Sequence, residues 1–193
     1  MARTSNALYL TGTVARIAQY DKYEKVTVRV THSNRGSRDS ISEYITVRFF
    51  YEDATGMDEI LLGDRVRIKG HIGSSRREQE DGSMRIVIIP VGDAIEQVDA
   101  SMQDENIVVI NGVVENILDG SRSKILHIVT WVDEKPYTLA VSFRPELVEE
   151  VENGNLVYAR ARLIPIEREY PNGTHRRHYA IRGFRIEKES ADE

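Results

Sequence analysis

The residues hardest to explain by packing alone are aromatic rings set among arginines. In Tyr44-Ile-Thr-Val-Arg-Phe-Phe50 the side chains alternate. If Ile45, Val47 and Phe49 face a core, then Tyr44, Thr46, Arg48 and Phe50 face the opposite side of the strand. An outward Tyr, Arg and Phe on one strand can stack on flat rings and hold anions. Arg29 lies on the preceding strand. A second such segment runs from Tyr137 to Phe143, where Tyr137, Leu139, Val141 and Phe143 share one side and read as more core-like. Trp131 ends a strand beside a hairpin. Tyr170 sits in a loop next to Arg168 and is followed by His175, Arg176, Arg177 and His178, the densest basic stretch of the chain. Arg76 and Arg77, with Arg85 nearby, mark an earlier loop that has no aromatic. Arg35 and Arg38 belong to a long polar loop. The competing account is packing: these are β-favouring residues, and Glu78, Glu80, Asp81, Glu167 and Glu169 interleave with the basic loops.

Catalytic chemistry finds no foothold. The chain has no Cys, and its five His are scattered without HExxH or other ligand spacing. Neither a GxxxxGK[ST] nor a GxGxxG phosphate loop occurs, and no GxSxG elbow. We therefore expect no catalytic residues, no metal, no cofactor and no enzymatic activity.

The elements that must position these residues are strands. Residues 7–18 read as a strand broken by Gly12, where a bulge or bend is expected. Gln19 to Glu24 reads as a polar loop. Strands follow at Val26–Thr31 and Tyr44–Phe50, separated by the loop His32 to Ser42. A short helix is predicted over Met57–Leu62 and ended by Gly63-Asp64. Further strands are predicted at Arg65–Ile72 and from Met84 to Pro90, extended towards Val98, with the polar loop Gly73 to Ser83 between them. The order then repeats. Asn6-Ala-Leu-Tyr-Leu-Thr-Gly12 returns 100 residues later as Asn106-Ile-Val-Val-Ile-Asn-Gly112, each followed shortly by a Val (Val14, Val113). Strands are predicted at Ile107–Ile117, Lys124–Trp131 and Tyr137–Phe143. A short helix follows over Pro145–Glu152, then strands at Leu156–Leu163 and Arg176–Ile186. The hairpin at residues 132–136 is the tighter of its kind.

Five strands, a short helix between the third and fourth, and a Gly bend in the first describe the OB-fold barrel. The expected fold is all-β with short helices: two tandem five-stranded OB-folds, residues 1–98 and 106–188. A linker at 99–105 joins them and an acidic tail, 189–193, follows. A pair of sandwiches or one larger barrel is the alternative.

With 193 residues and 40% hydrophobic side chains, a packed core is feasible. No apolar run approaches the ~18–20 residues of a membrane span. The N-terminus lacks the apolar stretch of a signal peptide. These features point to the cytoplasm of a cell or of an infected host. Net charge is −5. Residues 1–98 balance at 14 basic and 14 acidic, and residues 99–193 carry 12 and 17. A nucleic-acid surface would have to be local.

The pattern resembles the bacterial and phage single-stranded DNA-binding protein family. The resemblance lies in an aromatic opening strand three, a Phe closing it, a short helix, and a Gly-led strand four. Here these read Tyr44…Phe50 with Leu61-Leu-Gly-Asp-Arg-Val-Arg-Ile-Lys-Gly-His-Ile72, and Tyr137…Phe143 with Glu152-Asn-Gly-Asn-Leu-Val-Tyr-Ala-Arg-Ala-Arg-Leu163. On this reading Tyr44 and Tyr137 stand at matched positions. Both replace the Trp usual in that family. The resemblance implies a protein that coats single-stranded DNA in replication, recombination or repair, with little sequence preference, as a homodimer presenting four barrels. Replication or recombination proteins, and RNA, are further possible partners; a membrane is not. It implies stacking by Tyr44, Phe50, Trp131, Tyr137, Phe143 and Tyr170. Phosphate contacts would come from Arg29, Arg35, Arg38, Arg48, Arg76, Arg77, Arg168, Arg176 and Arg177. The alternatives from another class are an OB-fold interaction or assembly module, and an RNA or oligosaccharide binder.

Overall fold

The computed structural model describes residues 5–33, 40–78, 82, 84–169 and 175–189. It is built almost wholly of strands. The first five are β1 (Ser5–Gln19), β2 (Tyr23–Ser33), β3 (Ser40–Phe50), β4 (Arg65–Glu78) and β5 (Met84–Gln97). The second five are β6 (Glu105–Asp119), β7 (Lys124–Val132), β8 (Lys135–Phe143), β9 (Leu156–Glu169) and β10 (His175–Lys188). In the first set the order is β2-β3-β5-β4-β1, closed by pairing of β1 with β2. In the second it is β6-β7-β8-β10-β9, closed by pairing of β6 with β9. Each is the five-stranded closed barrel of the OB-fold, as expected from the strand pattern. No helix among the described residues is long and apolar enough to cross a membrane.

The two barrels repeat each other in register. β1 pairs with β2 through Val14↔Val28 and then slips to Arg16↔Thr27. β6 pairs with β7 through Val114↔Ile128 and then slips to Asn116↔His127. The irregularity falls two to four residues past the Gly of each repeat, where the bend was expected. Val14 and Val114 each accept and donate backbone hydrogen bonds at the turn before strand four. Val14 N–H meets Asp64 O at 2.9 Å and Val114 N–H meets Asn155 O at 2.9 Å.

Alternation builds each core. Leu8, Leu10, Val26, Val28, Ile45, Val47, Phe49, Val66 and Ile68 are fully buried in the first barrel. Val108, Ile110, Leu126, Ile128, Leu139, Val141, Val157, Ala159, Ala161 and Leu163 are fully buried in the second. The largest side chain of each core rests on a glycine. A Cβ at Gly92 would run into the ring of Phe49, and one at Gly183 into the ring of Phe143. Phe49 and Phe143 are therefore counterparts, and β3 and β8 must be aligned on them.

By packing, the chain divides into two compact units. One holds Leu8–His71 and Pro90–Ile107, and the other Met1–Ala7, Ile72–Ile89 and Val108–Glu193. Within the latter, buried Asn6 is fully engaged: its Nδ2 donates to Thr130 Oγ1 at 2.8 Å and its Oδ1 accepts from Ile72 N–H at 2.6 Å.

The structure shortens several predicted elements. Each predicted helix is a single 3-10 turn, Met57–Glu59 and Pro145–Leu147. Leu61 and Leu62 are 67% exposed, so the first segment has no apolar stripe to hold a helix. The second segment sets Glu146 and Glu150 one helical turn apart, where like charges repel. Loops shrink as well. β1 and β2 leave only residues 20–22 between them, and β4 runs on through Arg76 and Arg77 to Glu78.

Candidate nucleic-acid interface

On β2 the buried residues Val26, Val28 and Val30 point inward, and on β3 so do Ile45, Val47 and Phe49. Their neighbours form the outer face. The register sets Tyr23 opposite Phe50, Lys25 opposite Arg48, Thr27 opposite Thr46, Arg29 opposite Tyr44 and Thr31 opposite Ser42. Past its irregularity, β1 adds Arg16 beside Thr27 and Ala18 beside Lys25. This face holds four cations, and none of these outer positions is acidic.

The rings and cations are in contact. Tyr20, in the turn, stacks on Tyr23 with centroids 4.8 Å apart and planes 24° apart. Tyr23 meets Phe50 edge-on at 5.9 Å. Lys25 Nζ lies 4.8 Å from the Tyr20 centroid, and the Arg48 guanidinium 4.6 Å from that of Tyr23. At mid-strip the hydroxyls of Thr27 and Thr46 are hydrogen-bonded at 2.9 Å. Among the described residues, none of Arg16, Lys25, Arg29 and Arg48 forms an ion pair, whereas Arg65, Arg67, Arg76 and Arg177 each pair with a carboxylate. Glu24, between Tyr23 and Lys25 in sequence, points the other way. It is buried opposite Phe49, and burial, then repulsion by Asp58, raises its carboxyl above the usual range.

The face brings together four residues expected from the sequence: Tyr44, which is 41% exposed, with Arg29, Arg48 and Phe50. It adds Tyr20, Tyr23, Lys25 and Arg16, which the sequence reading passed over. Their signal was present. Counting back by twos from Arg29 reaches Lys25 and Tyr23, in phase with the outer face.

The second barrel is different. Phe143 is 1% exposed and packs on Gly183, so it is a core residue and offers no stacking face. Nor do Tyr44 and Tyr137 match. Counted from the core phenylalanines, Tyr44 corresponds to Thr138, and Tyr137 to Glu43. Tyr137 stands in the inward phase with Leu139 and Val141, half-buried and opposite Thr130. The outer face of β7 and β8 pairs Ile125 with Ser142, His127 with Ala140, Val129 with Thr138 and Trp131 with Pro136. Trp131 is 47% exposed beside the two-residue turn Asp133-Glu134. Arg76 donates to Glu115 Oε2 and Thr138 Oγ1, each at 3.1 Å. Burial holds the His127 imidazole below its ordinary range; Glu115 opposes this and Arg76 adds to it.

Arg77 is exposed at the far end of β4. Arg177 donates to Glu167 at 3.0 Å. Arg168 and Arg176 face each other in backbone register on β9 and β10, with side chains outside the described residues. Arg35, Arg38 and Tyr170 lie outside them altogether.

No family model and no curated protein matches the sequence. Solved structures do match. A deletion variant of the single-stranded DNA binding protein from Thermus aquaticus superposes with a TM-score of 0.74 at 18% identity, covering 100% of this chain and 98% of that one. A mitochondrial single-stranded DNA binding protein from S. cerevisiae aligns over 45% of this chain and 96% of its own, at 17% identity and a TM-score of 0.36. At these identities the Thermus likeness establishes a shared fold across the whole chain.

Proposed function

We propose that the protein is a non-enzymatic single-stranded DNA-binding protein, of the tandem OB-fold kind, in which the outer face of β1–β3 receives the strand. One observation carries this reading: in a protein of net charge −5, the outer positions of β1–β3 hold four cations and no acid, none of the four in an ion pair among the described residues, laced with Tyr20, Tyr23, Tyr44 and Phe50. Bases stack on such rings for about 1–3 kcal/mol each, whatever their identity, and the cations take the phosphates. The OB-fold shared with the Thermus protein supports it. We further propose that it coats and protects single strands in replication, recombination or repair, and that it works as a homodimer.

The test is anisotropy titration of labelled oligo(dT) at low and moderate salt, with matched RNA as competitor. Tight binding that weakens with salt, and prefers DNA, is expected. No binding at low salt would move the assignment to an interaction module, for which the apolar outer face of β7 and β8 is the natural contact.

A further inference from the structure

The turns before strand four are built alike in the two barrels, bond for bond, at an offset of 91 residues (Gly63 to Gly154). Ile60 N–H donates to Met57 O at 3.2 Å, and Val151 N–H to Val148 O at 3.1 Å. Asp64 N–H donates to Leu61 O and Asn155 N–H to Glu152 O, both at 3.2 Å. A side chain answers in each case: Leu61 N–H donates to Asp64 Oδ2 at 2.7 Å, and Glu152 N–H to Asn155 Oδ1 at 3.0 Å. Gly63 and Gly154 take φ of 90° and 86°. Each donates its N–H to the valine at the barrel's irregularity, Gly63 to Val14 O at 2.9 Å and Gly154 to Val114 O at 2.7 Å.

The second turn is therefore a control on the first. It places Glu152 and Asn153 where the first places Leu61 and Leu62, and it keeps every one of these bonds. The turn does not need the leucines. Nor do they fill the core: they are the most exposed large apolar side chains among the described residues. Ile60 beside them is buried and anchors the segment. Thr55 ties the same segment to β5, donating to Asp93 O at 3.0 Å and accepting from Ile95 N–H at 3.1 Å. Two adjacent leucines are thus held outward on a braced turn. Single exposed apolar residues are ordinary, whereas an adjacent, braced pair marks a contact.

The charge around the pair selects the partner. Residues 51–64 hold Glu52, Asp53, Asp58, Glu59 and Asp64 and no Lys or Arg. Asp58 and Glu59 are exposed, and neither forms an ion pair among the described residues. Such a rim repels nucleic acid and anionic lipid alike. A second copy meeting the patch across a two-fold axis would bring these acids towards their own counterparts. We propose that the turn Asp58–Leu62 is a docking site for a partner protein that presents an apolar patch ringed by Lys or Arg. Leu61 and Leu62 enter the apolar centre, and Asp58 and Glu59 meet the basic rim. Glu149 and Glu150 stand at the corresponding places in the second turn, so it is the leucines that confine the site to the first barrel. The proposal does not rest on strand binding.

The probe is a labelled amphipathic peptide of lysine and leucine, its leucines at helical spacing, read by anisotropy. Wild type should bind it with a Kd below about 1 mM, and should not bind the same peptide with serine in place of leucine. L61Q/L62N keeps the charge and gives the turn side chains close to those of Glu152 and Asn153. It should weaken peptide binding at least about tenfold, with melting temperature and affinity for a short oligo(dT) unchanged. D58N/E59Q should weaken it about fivefold and flatten its salt dependence, whereas E149Q/E150Q should stay within about twofold of wild type. Unchanged peptide affinity in L61Q/L62N would overturn the proposal. So would an equal loss in E149Q/E150Q, which assigns binding to diffuse acid, or no binding of the leucine peptide by wild type. Self-association that L61Q/L62N abolishes would overturn it in favour of a second copy. Loss of oligo(dT) affinity in L61Q/L62N would overturn it in favour of the strand. Failure of the wild type to bind oligo(dT) counts against the strand-binding reading alone.

Discussion

Removing two cations from the β1–β3 face should change the salt dependence of binding by a calculable amount. The chosen change is R29M/R48M. Methionine keeps the apolar stem of each side chain against its neighbours and removes only the charge. Each phosphate neutralised on a single strand contributes about −0.7 to the slope of log affinity against log salt. With Arg16, Lys25, Arg29 and Arg48 engaged, the face contributes about −2.8, or a roughly 50-fold loss of affinity between 50 and 200 mM salt. With two cations gone the slope is about −1.4 and the loss roughly 7-fold. Anisotropy of a labelled oligo(dT) over five salt concentrations measures it. The control is R144M, which removes an exposed charge paired with Glu146 at 3.9 Å, outside the strip. A slope unchanged in R29M/R48M would refute the reasoning. So would an equal drop in R144M, which would mean that diffuse charge, and not this face, holds the strand.

Tyr23→Ala removes the ring at the centre of the Tyr20–Phe50 cluster and should cost about 1–3 kcal/mol of binding, roughly 5- to 150-fold in Kd, without loss of fold by circular dichroism. Phe143→Leu should do the reverse: about 1–2 kcal/mol lost in urea unfolding, with short-strand affinity retained in the folded protein. Glu24→Gln tests the buried carboxyl. Its folded pKa is raised, so its ionised form opposes folding as pH rises above the ordinary carboxylate value; the variant should melt higher than wild type at pH 7, and the two should converge at low pH where both are neutral. Asp133 and Glu134 hold φ of 45° and 64° in a two-residue turn that favours glycine. Glu134→Gly should therefore stabilise by about 1 kcal/mol, read as a melting temperature about 2–8 °C higher.

The barrels were legible because burial has a period of two and the chain states it twice. Val26–Val30 and Ile45–Phe49 alternate cleanly, and the Gly of each repeat precedes the irregularity. The helices were not, because a three-residue turn has too few bonds to outweigh its neighbours and leaves no periodic trace. The proposed interface was half legible. Tyr44, Arg48 and Phe50 follow from the phase of β3. Tyr20, Tyr23 and Lys25 did not, because Gln19 to Glu24 is polar and strand ends composed of polar residues look like loop. Residue type pairs Tyr44 with Tyr137, whereas the phase of the buried residues pairs Tyr44 with Thr138. Phe49 and Phe143, each against a glycine, set the true alignment one residue away.

That alignment separates two kinds of position. Inward positions are tied to the barrel: Phe49 with Gly92, Phe143 with Gly183, and the shared slip after Val14 and Val114. Outward positions are not tied to the core packing, though some bond to their neighbours on the sheet. The two barrels share an interior pattern and differ outside, with lysine and arginine on β2 and β3 of one, and isoleucine, histidine and tryptophan on β7 of the other. A substitution on an outer face can therefore change what a barrel touches while its core packing stands.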